Sequence, residues 1–408
     1  MPTRSFYFPT DLAHIEKILA CEGEDGPYVA GQGFSESDIP PLPSVGSIAA
    51  LIGISPKILF SIRFRRSKYY RSFRIKKKKK GEYRTIYAPR TYLKVIQWWI
   101  LDNILARVKV SDSAFGFVRG KSAVSNATCH IGANHLLNVD IKDFFPSILE
   151  ESVARAFVSL GYSVEVSEHL AAICTLDGRL PQGAPTSPTL ANIICRALDN
   201  ELSDLAAAQD IIYTRYADDL TFSSKHFIGN DFLSTVREVT KRHGFTLNGD
   251  KTRFAGRGNQ MEVTGVVINV RAQPPLHWRK RVRATLHRIE KKNRLIRRDI
   301  DYLRGILGVA GTFDDSPQLK ALEQSARSLL AARSAEVVGI GTKPILPNGL
   351  TQRQAEVLAT LRSGRSNTEI AAILKITESA VKKRLQLALK KLGLEGRQQA
   401  IFWAEANL

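Results

Sequence analysis

The sequence predicts an α/β (α+β) chain that ends in a small all-α domain, and three observations carry that reading. Short runs rich in β-branched and aromatic residues alternate with helical patterns from about residue 46 to 272. A Gly/Pro-rich stretch, Gly339 to Pro347, interrupts the chain after Ala335. Beyond it, Ser366 to Arg384 reads helix, short turn, helix. With 408 residues the chain has room for about two or three domains. Its 59 Lys plus Arg against 39 Asp plus Glu give a formal charge of +20, which favours a polyanionic partner, most simply nucleic acid. No run of about 20 apolar residues and no signal-peptide pattern is present, which argues against a membrane protein. Cys21, Cys129, Cys174 and Cys195 form no Cys-x-x-Cys pair, so zinc and a disulfide framework are not expected, and a reducing cytoplasm fits best.

Taken in order, residues 1–45 read as an irregular N-terminal extension ending in Pro40, Pro41 and Pro43. A helical pattern starts at Ser44. Between Arg63 and Arg84 twelve Lys or Arg face one Glu, interleaved with Phe64, Tyr69, Tyr70 and Phe73. That mixture suits a surface laid against nucleic acid better than a merely solvated charge block. Gly81-Glu82 reads as a hairpin turn before the strand-like Tyr83 to Tyr87. Lys94 to Val110 reads as an amphipathic helix, and Leu136 to Ile141 as a buried strand ending in an acid. Glu151 to Leu160 and Pro188 to Ala207 read as helices. A basic helical stretch runs from His277 to Arg298.

The chemistry concentrates at Tyr216-Ala217-Asp218-Asp219. β-rich flanks, Ile211 to Tyr213 and Leu220 to Phe222, put the paired acids at a tight hairpin turn. Adjacent carboxylates repel, and a divalent cation relieves that repulsion. Asp140, at a strand end 78 residues earlier, could complete a three-carboxylate site from a neighbouring strand. The small-residue loop Leu180 to Pro188 reads either as a plain loop opening a helix or as a surface that a base pair approaches closely.

In order, Val139-Asp140, Pro181 to Pro188 and Arg215 to Asp219 resemble motifs A, B and C of reverse transcriptases. Asn126-Ala127-Thr128-Cys129-His130 and Val263-Thr264-Gly265 resemble the N-A-x-x-H and V-T-G elements of the retron branch. The resemblance covers roughly residues 46 to 310. It implies a right-hand polymerase fold, with fingers and palm over 46–272 and a helical thumb over 273–335. It implies that Asp140, Asp218 and Asp219 hold two Mg²⁺ ions, that Phe145 excludes the ribose 2′-hydroxyl, and that Gln182 and Gly183 border the incoming dNTP and the template base. Arg84, with Lys80 as second candidate, would clamp the triphosphate. Lys251 matches motif D as a proton donor to pyrophosphate, or is an exposed loop lysine. Asn126 and His130 would contact RNA or serve as core hydrogen-bonding groups. Val263, Thr264, Gly265 and the basic helix with Arg279 and Arg283 would lie along a cognate structured RNA. That RNA would act as template and, through a guanosine 2′-hydroxyl, as primer for a branched RNA–DNA product (msDNA), by family analogy in antiphage defence beside a possible effector protein.

After a linker over 336–349, residues 350–408 resemble a LuxR-type helix-turn-helix. Thr351 with Gln354 and Ser366 with Glu369 fit capping boxes. Ile370, Ile373, Val381, Leu385 and Leu392 would build its core, leaving Ser379, Lys382, Lys383 and Gln386 for a DNA groove. A protein-interaction module is the other reading of this segment. For the whole chain, the competing function is a transcriptional regulator whose polymerase half only holds RNA or msDNA.

Overall fold

The structure, a computed structural model, describes residues 39–76, 81, 83–292, 295–313, 317–333, 350–362, 365–374, 376–392, 394 and 396–407. The expected linker and the lysine run with Lys80 lie outside them. Two compact units emerge, Met1–Arg279 with Thr312–Asp314, and Lys280–Gly311 with Asp315–Leu408.

The first unit opens with α1 (Val45–Ile52), which begins where expected because the Ser44 hydroxyl accepts the Ser47 N–H. Helix α2 (Pro56–Phe64) starts on a proline, whose missing N–H costs nothing in the first turn. Strands β1 (Tyr70–Lys76) and β2 (Tyr83–Pro89) pair antiparallel with Lys76 opposite Tyr83, in keeping with the expected fingers hairpin. Helix α3 (Thr91–Asn103) starts and ends earlier than its sequence pattern suggests. The Asn103 amide donates to the Trp99 carbonyl, and the chain tightens into a 3₁₀ turn at Leu105–Arg107.

The palm is a four-stranded antiparallel sheet in the order β4-β5-β3-β6, made of β3 (His135–Ile141), β4 (Ile212–Tyr216), β5 (Asp219–Ser224) and β6 (Leu247–Gly256). Alternation decides its faces. Leu137, Val139 and Ile141 of β3, with Leu220 and Phe222 of β5, enter the main core. Their even-numbered and odd-numbered neighbours, Asp140 and Asp219 among them, turn to the other face. The core side is covered by helices that include α6 (Glu150–Ser159), α7 (Val164–Cys174) and α10 (Asn230–Arg242). The expected single helix over Pro188 to Ala207 is two, α8 (Ser187–Ile194) and α9 (Arg196–Ala207), broken at Cys195. The break lets Asn192 and Asp199 both reach Arg215.

A second, smaller core lies on the other face. Ala127 of α4 (Ala123–Thr128), Leu136, and the hairpin of β7 (Glu262–Val263) and β8 (Val266–Val267) supply it, with Met261 and Ile268.

Helix α11 (Leu276–Glu290) enters the second unit at Lys280; it buries Val282, Leu286 and Ile289 along one stripe and leaves Arg283 exposed. The basic stretch breaks before α12 (Arg297–Ala310), which packs on α13 (Pro317–Arg333). The C-terminal helices are α14 (Gln352–Leu361), α15 (Asn367–Leu374), α16 (Glu378–Leu392) and α17 (Arg397–Asn407). Both expected capping boxes form. Ile370, Val381 and Leu385 are buried and Leu392 packs beside them, but Ile373 is 50% exposed and drops out of the core. Val357, Leu358 and Leu361 of α14, with Ala400 and Ala404 of α17, complete it. These residues all belong to 350–404, so this small domain carries its own core.

Arg215 and Asp199 are both fully buried, with Nη2 2.6 Å from Oδ2 and Nε 2.7 Å from Oδ1. Asp199→Ala strands a guanidinium in the core and should lower the unfolding free energy by about 3–5 kcal/mol. Urea denaturation followed by tryptophan fluorescence measures it.

Candidate active site

Strand register brings the three carboxylates to one place. Asp140, next to last in β3, stands directly opposite Asp219, the first residue of β5. Asp218 lies beside them in the two-residue turn between β4 and β5, and its carbonyl accepts the Ile141 N–H at 2.8 Å. Ala217, the other turn residue, is left-handed at φ 59°, so the turn is as tight as the sequence predicts. Burial raises the Asp218 carboxyl, the Asp140 charge adds to the rise, and Lys251 and Arg84 pull it back. Asp219 keeps an open face, yet partial desolvation followed by the Asp218 and Asp140 charges pushes it up to about 6.

Lys251, on β6, sets its Nζ 2.5 Å from Asp140 Oδ1. Burial works against its charge, but the hydrogen bond to Asp140 and the fields of all three acids hold it above the usual lysine value. It is therefore part of the acidic cluster and not a bystander in a loop. Among the described residues no three acidic, imidazole or thiol groups stand at metal-coordination geometry. Instead the Lys251 ammonium lies on an Asp140 oxygen. The donor set nonetheless fits hard divalent cations, since all donors are carboxylate oxygens whose mutual repulsion a cation would relieve.

The turn is held from below by residues the sequence reading passed over. Arg215 donates from Nη1 to the Ala217 carbonyl at 3.2 Å and to Asn192 Oδ1 at 3.0 Å, while Asp199 grips its other edge. Asn192 in turn donates to the Gly116 carbonyl at 2.8 Å. Gly116 lies so close to the turn that a Cβ there would sit 2.5 Å from the Ala217 nitrogen. Arg215 looks like one more surface cation in a basic chain. Only its position on the core face of β4 could have marked it.

His130 is the second support. It is buried, with Nδ1 2.7 Å from Ser223 Oγ and Nε2 2.8 Å from Thr214 Oγ1, so it ties both strands of the acidic hairpin to α4. This corrects its assignment as an RNA contact: between the two open readings, the core role holds. Asn126 and Val263 are buried too and offer no side chain to RNA. The V-T-G element folds as the β7–β8 turn, with Thr264 at φ 49° and Gly265 at φ 83°. The Thr264 hydroxyl donates to the Ala123 carbonyl at 3.0 Å. The two signature elements thus pack on each other. Gly265 stays exposed.

Phe145, half-buried in the short helix α5 (Phe144–Ser147), packs against Phe117. The two ring centroids are 6.3 Å apart. Phe117 is 54% exposed and left-handed at φ 62°, a backbone that costs a residue with a Cβ about 1–3 kcal/mol. Gln182 is half-buried, and its carbonyl accepts the Tyr87 N–H of β2 at 2.9 Å. A Cβ on Gly183 would meet the Tyr87 oxygen at 2.8 Å. The close approach expected of this loop is therefore to the strand that carries Arg84. Arg84 itself is exposed. On α16, Ser379, Lys382, Lys383 and Gln386 are all exposed, with Lys382 paired to Glu378 at 3.1 Å.

Residues 75–268 match the family described as "Reverse transcriptase (RNA-dependent DNA polymerase)", and residues 348–404 match "Bacterial regulatory proteins, luxR family". The Retron Ec86 reverse transcriptase of Escherichia coli is 43% identical over 205 residues, 49% of this chain and 63% of that protein. The Retron Ec73 reverse transcriptase of Escherichia coli is 32% identical over 258 residues, 58% of this chain and 81% of that protein. The alignment with Ec86 thus leaves more than a third of that relative unmatched. The C-terminal segment is 48% identical over 59 residues to the probable csgAB operon transcriptional regulatory protein of Salmonella typhimurium, covering 14% of this chain and 27% of that protein.

Burial lowers His130 to about 4 from an ordinary 6.5. The folded protein keeps it neutral, whereas the unfolded chain takes up a proton below about pH 6.5. Stability from this group is therefore full at pH 7 and falls as pH drops towards 4. Between pH 7 and 5 the loss should be about 2 kcal/mol. Denaturation of wild type and His130→Asn at both pH values measures it; the variant should lack this part of the acid sensitivity.

Proposed function

Since this chain belongs to the retron reverse transcriptases, we propose that it is an RNA-directed DNA polymerase that copies a structured non-coding RNA. The observation that carries this is the cross-strand pairing of Asp140 with Asp219, beside Asp218 and under Lys251. Asp140, Asp218 and Asp219 would hold two Mg²⁺ ions, which when bound supply activation of the primer hydroxyl and charge relief on the departing pyrophosphate. Arg84, on the strand bonded to the Gln182 loop, takes the triphosphate. Phe145 stands against the 2′ position and selects dNTPs. Lys251, kept protonated by the three acids, gives its proton to pyrophosphate.

The RNA lies along basic surfaces, Arg283 on the exposed side of α11 among them. Through the family, the finer reading is priming from a guanosine 2′-hydroxyl of that RNA, a branched msDNA product, and a role in antiphage defence in the bacterial cytoplasm. The LuxR-type domain presents the polar face of α16 to duplex DNA, which Ser379, Lys382, Lys383 and Gln386 support by being exposed together.

Asp218→Asn should abolish primer extension with Mg²⁺ while RNA binding, which rests on basic surfaces elsewhere, survives. Near wild-type synthesis by that variant would sink the assignment. For the C-terminal domain, Lys382→Ala with Lys383→Ala should weaken duplex binding and lower its salt slope by roughly one unit per lost phosphate contact. Fluorescence titration of residues 345–408 across salt concentrations reads both quantities. A folded domain that ignores duplex DNA at low salt is a protein-interaction module.

A further inference from the structure

Phe117 combines two features that stability alone does not favour. Its backbone is left-handed at φ 62°, and its ring is 54% exposed. Glycine would adopt that backbone without strain, and a polar residue would suit the exposure. The conformation is imposed from both sides of the loop. Before it, Arg215 N–H donates to the Ser113 carbonyl at 2.7 Å and Phe115 N–H to the Arg215 carbonyl at 2.8 Å. Gly116 is wedged against the Ala217 backbone and its carbonyl is held by Asn192. After it, Lys121 Nζ donates back to the Ala114 carbonyl at 3.0 Å. The loop is thus fixed to the same turn that carries Asp218, and it delivers one apolar ring to solvent at that turn.

The ring has a neighbour. Phe145 lies 6.3 Å away, tilted by 48°, five residues beyond Asp140. Phe117 follows the residue wedged against Ala217, and Phe145 lies on the segment that leaves Asp140, so the paired rings come from the two chain segments that adjoin the acids. We infer that Phe117 is a specificity-determining residue that contacts the incoming nucleotide, forming with Phe145 a single aromatic wall against its sugar. The inference rests on the polymerase reading above and extends it to a residue outside the motifs that carry that reading. Two rings converging from separate segments define the width of the sugar slot more tightly than Phe145 alone. Strain held at a functional position is the general pattern to which Phe117 conforms.

The full-length chain, bound to poly(rA) annealed to a dideoxy-terminated oligo(dT), provides the test, because the next nucleotide binds without reacting. dTTP and UTP affinities are measured for wild type, Phe117→Gly, Phe117→Tyr and Phe145→Ala, together with thermal midpoints. Phe117→Gly should raise the midpoint by removing the strain, weaken dTTP about tenfold, and narrow the gap between dTTP and UTP. Phe117→Tyr, which keeps the ring, should stay within about twofold of wild type for dTTP. Unchanged affinities and selectivity in Phe117→Gly, with Phe145→Ala impaired, would overturn the inference and leave the polymerase reading standing. A wild-type chain that binds neither nucleotide, and extends no primer when the 3′ end is free, would overturn both.

Discussion

The pairing of Arg215 with Asp199 is the constraint on which the acidic turn depends. A guanidinium with no exposed surface is tolerable only when its donors are matched, and here a carboxylate, a side-chain amide and a backbone carbonyl match them. The carboxylate comes from α9, the amide from α8, and the carbonyl from the turn itself. Because the charge cannot be left unpaired, the helices, the strand and the turn are fixed as one assembly. Asn192 extends it to Gly116, and Gly116 leaves no room for the turn to shift. Placement of Asp218 and Asp219 is thereby decided on the core side of the sheet, opposite the face on which Asp140 and Asp219 pair.

The other side of the sheet has its own support. Thr214, Ser223 and His130 form a small polar group between the strands of the acidic hairpin and α4, while Asn138 accepts from Thr221 and donates to the Glu262 carbonyl. Desolvation keeps the imidazole neutral, so it can accept from one hydroxyl and donate to the other. Thr264 closes the far end by bonding the start of α4. Two short motifs some 130 residues apart in sequence are therefore parts of one packed layer. Their joint presence follows from packing, whatever else they contact.

Electrostatics then separates two kinds of cation in a very basic chain. Among the described residues most Lys and Arg are exposed, where each charge is screened and serves attraction at a distance. Lys251 and Arg84 act locally on the acids: one is hydrogen-bonded to Asp140, and the field of the other reaches Asp218. Acids that would otherwise repel one another are thus partly balanced by two neighbouring cations.

Period and capping were legible in the sequence. The strand at β3, the hairpin at Ala217-Asp218, the start of α1 at Ser44 and both C-terminal capping boxes are local, set by short runs of residue type or by residues three apart. Asp140, Asp218 and Asp219 could be read as one site for the same reason, since strand ends and turns announce themselves. What the sequence could not give were relations between distant segments. It did not mark Arg215 as a core residue, Cys195 as a break between helices, or Ile373 as an exposed position. His130 and Asn126 carry polar side chains that suit a surface as well as a core, and only packing between α4 and the sheet sends them inside. The sequence by itself determined the carboxylates and the elements that bear them, because local rules govern both. The tertiary structure alone decided which polar groups support those carboxylates, because burial is a property of the neighbours that a residue acquires on folding.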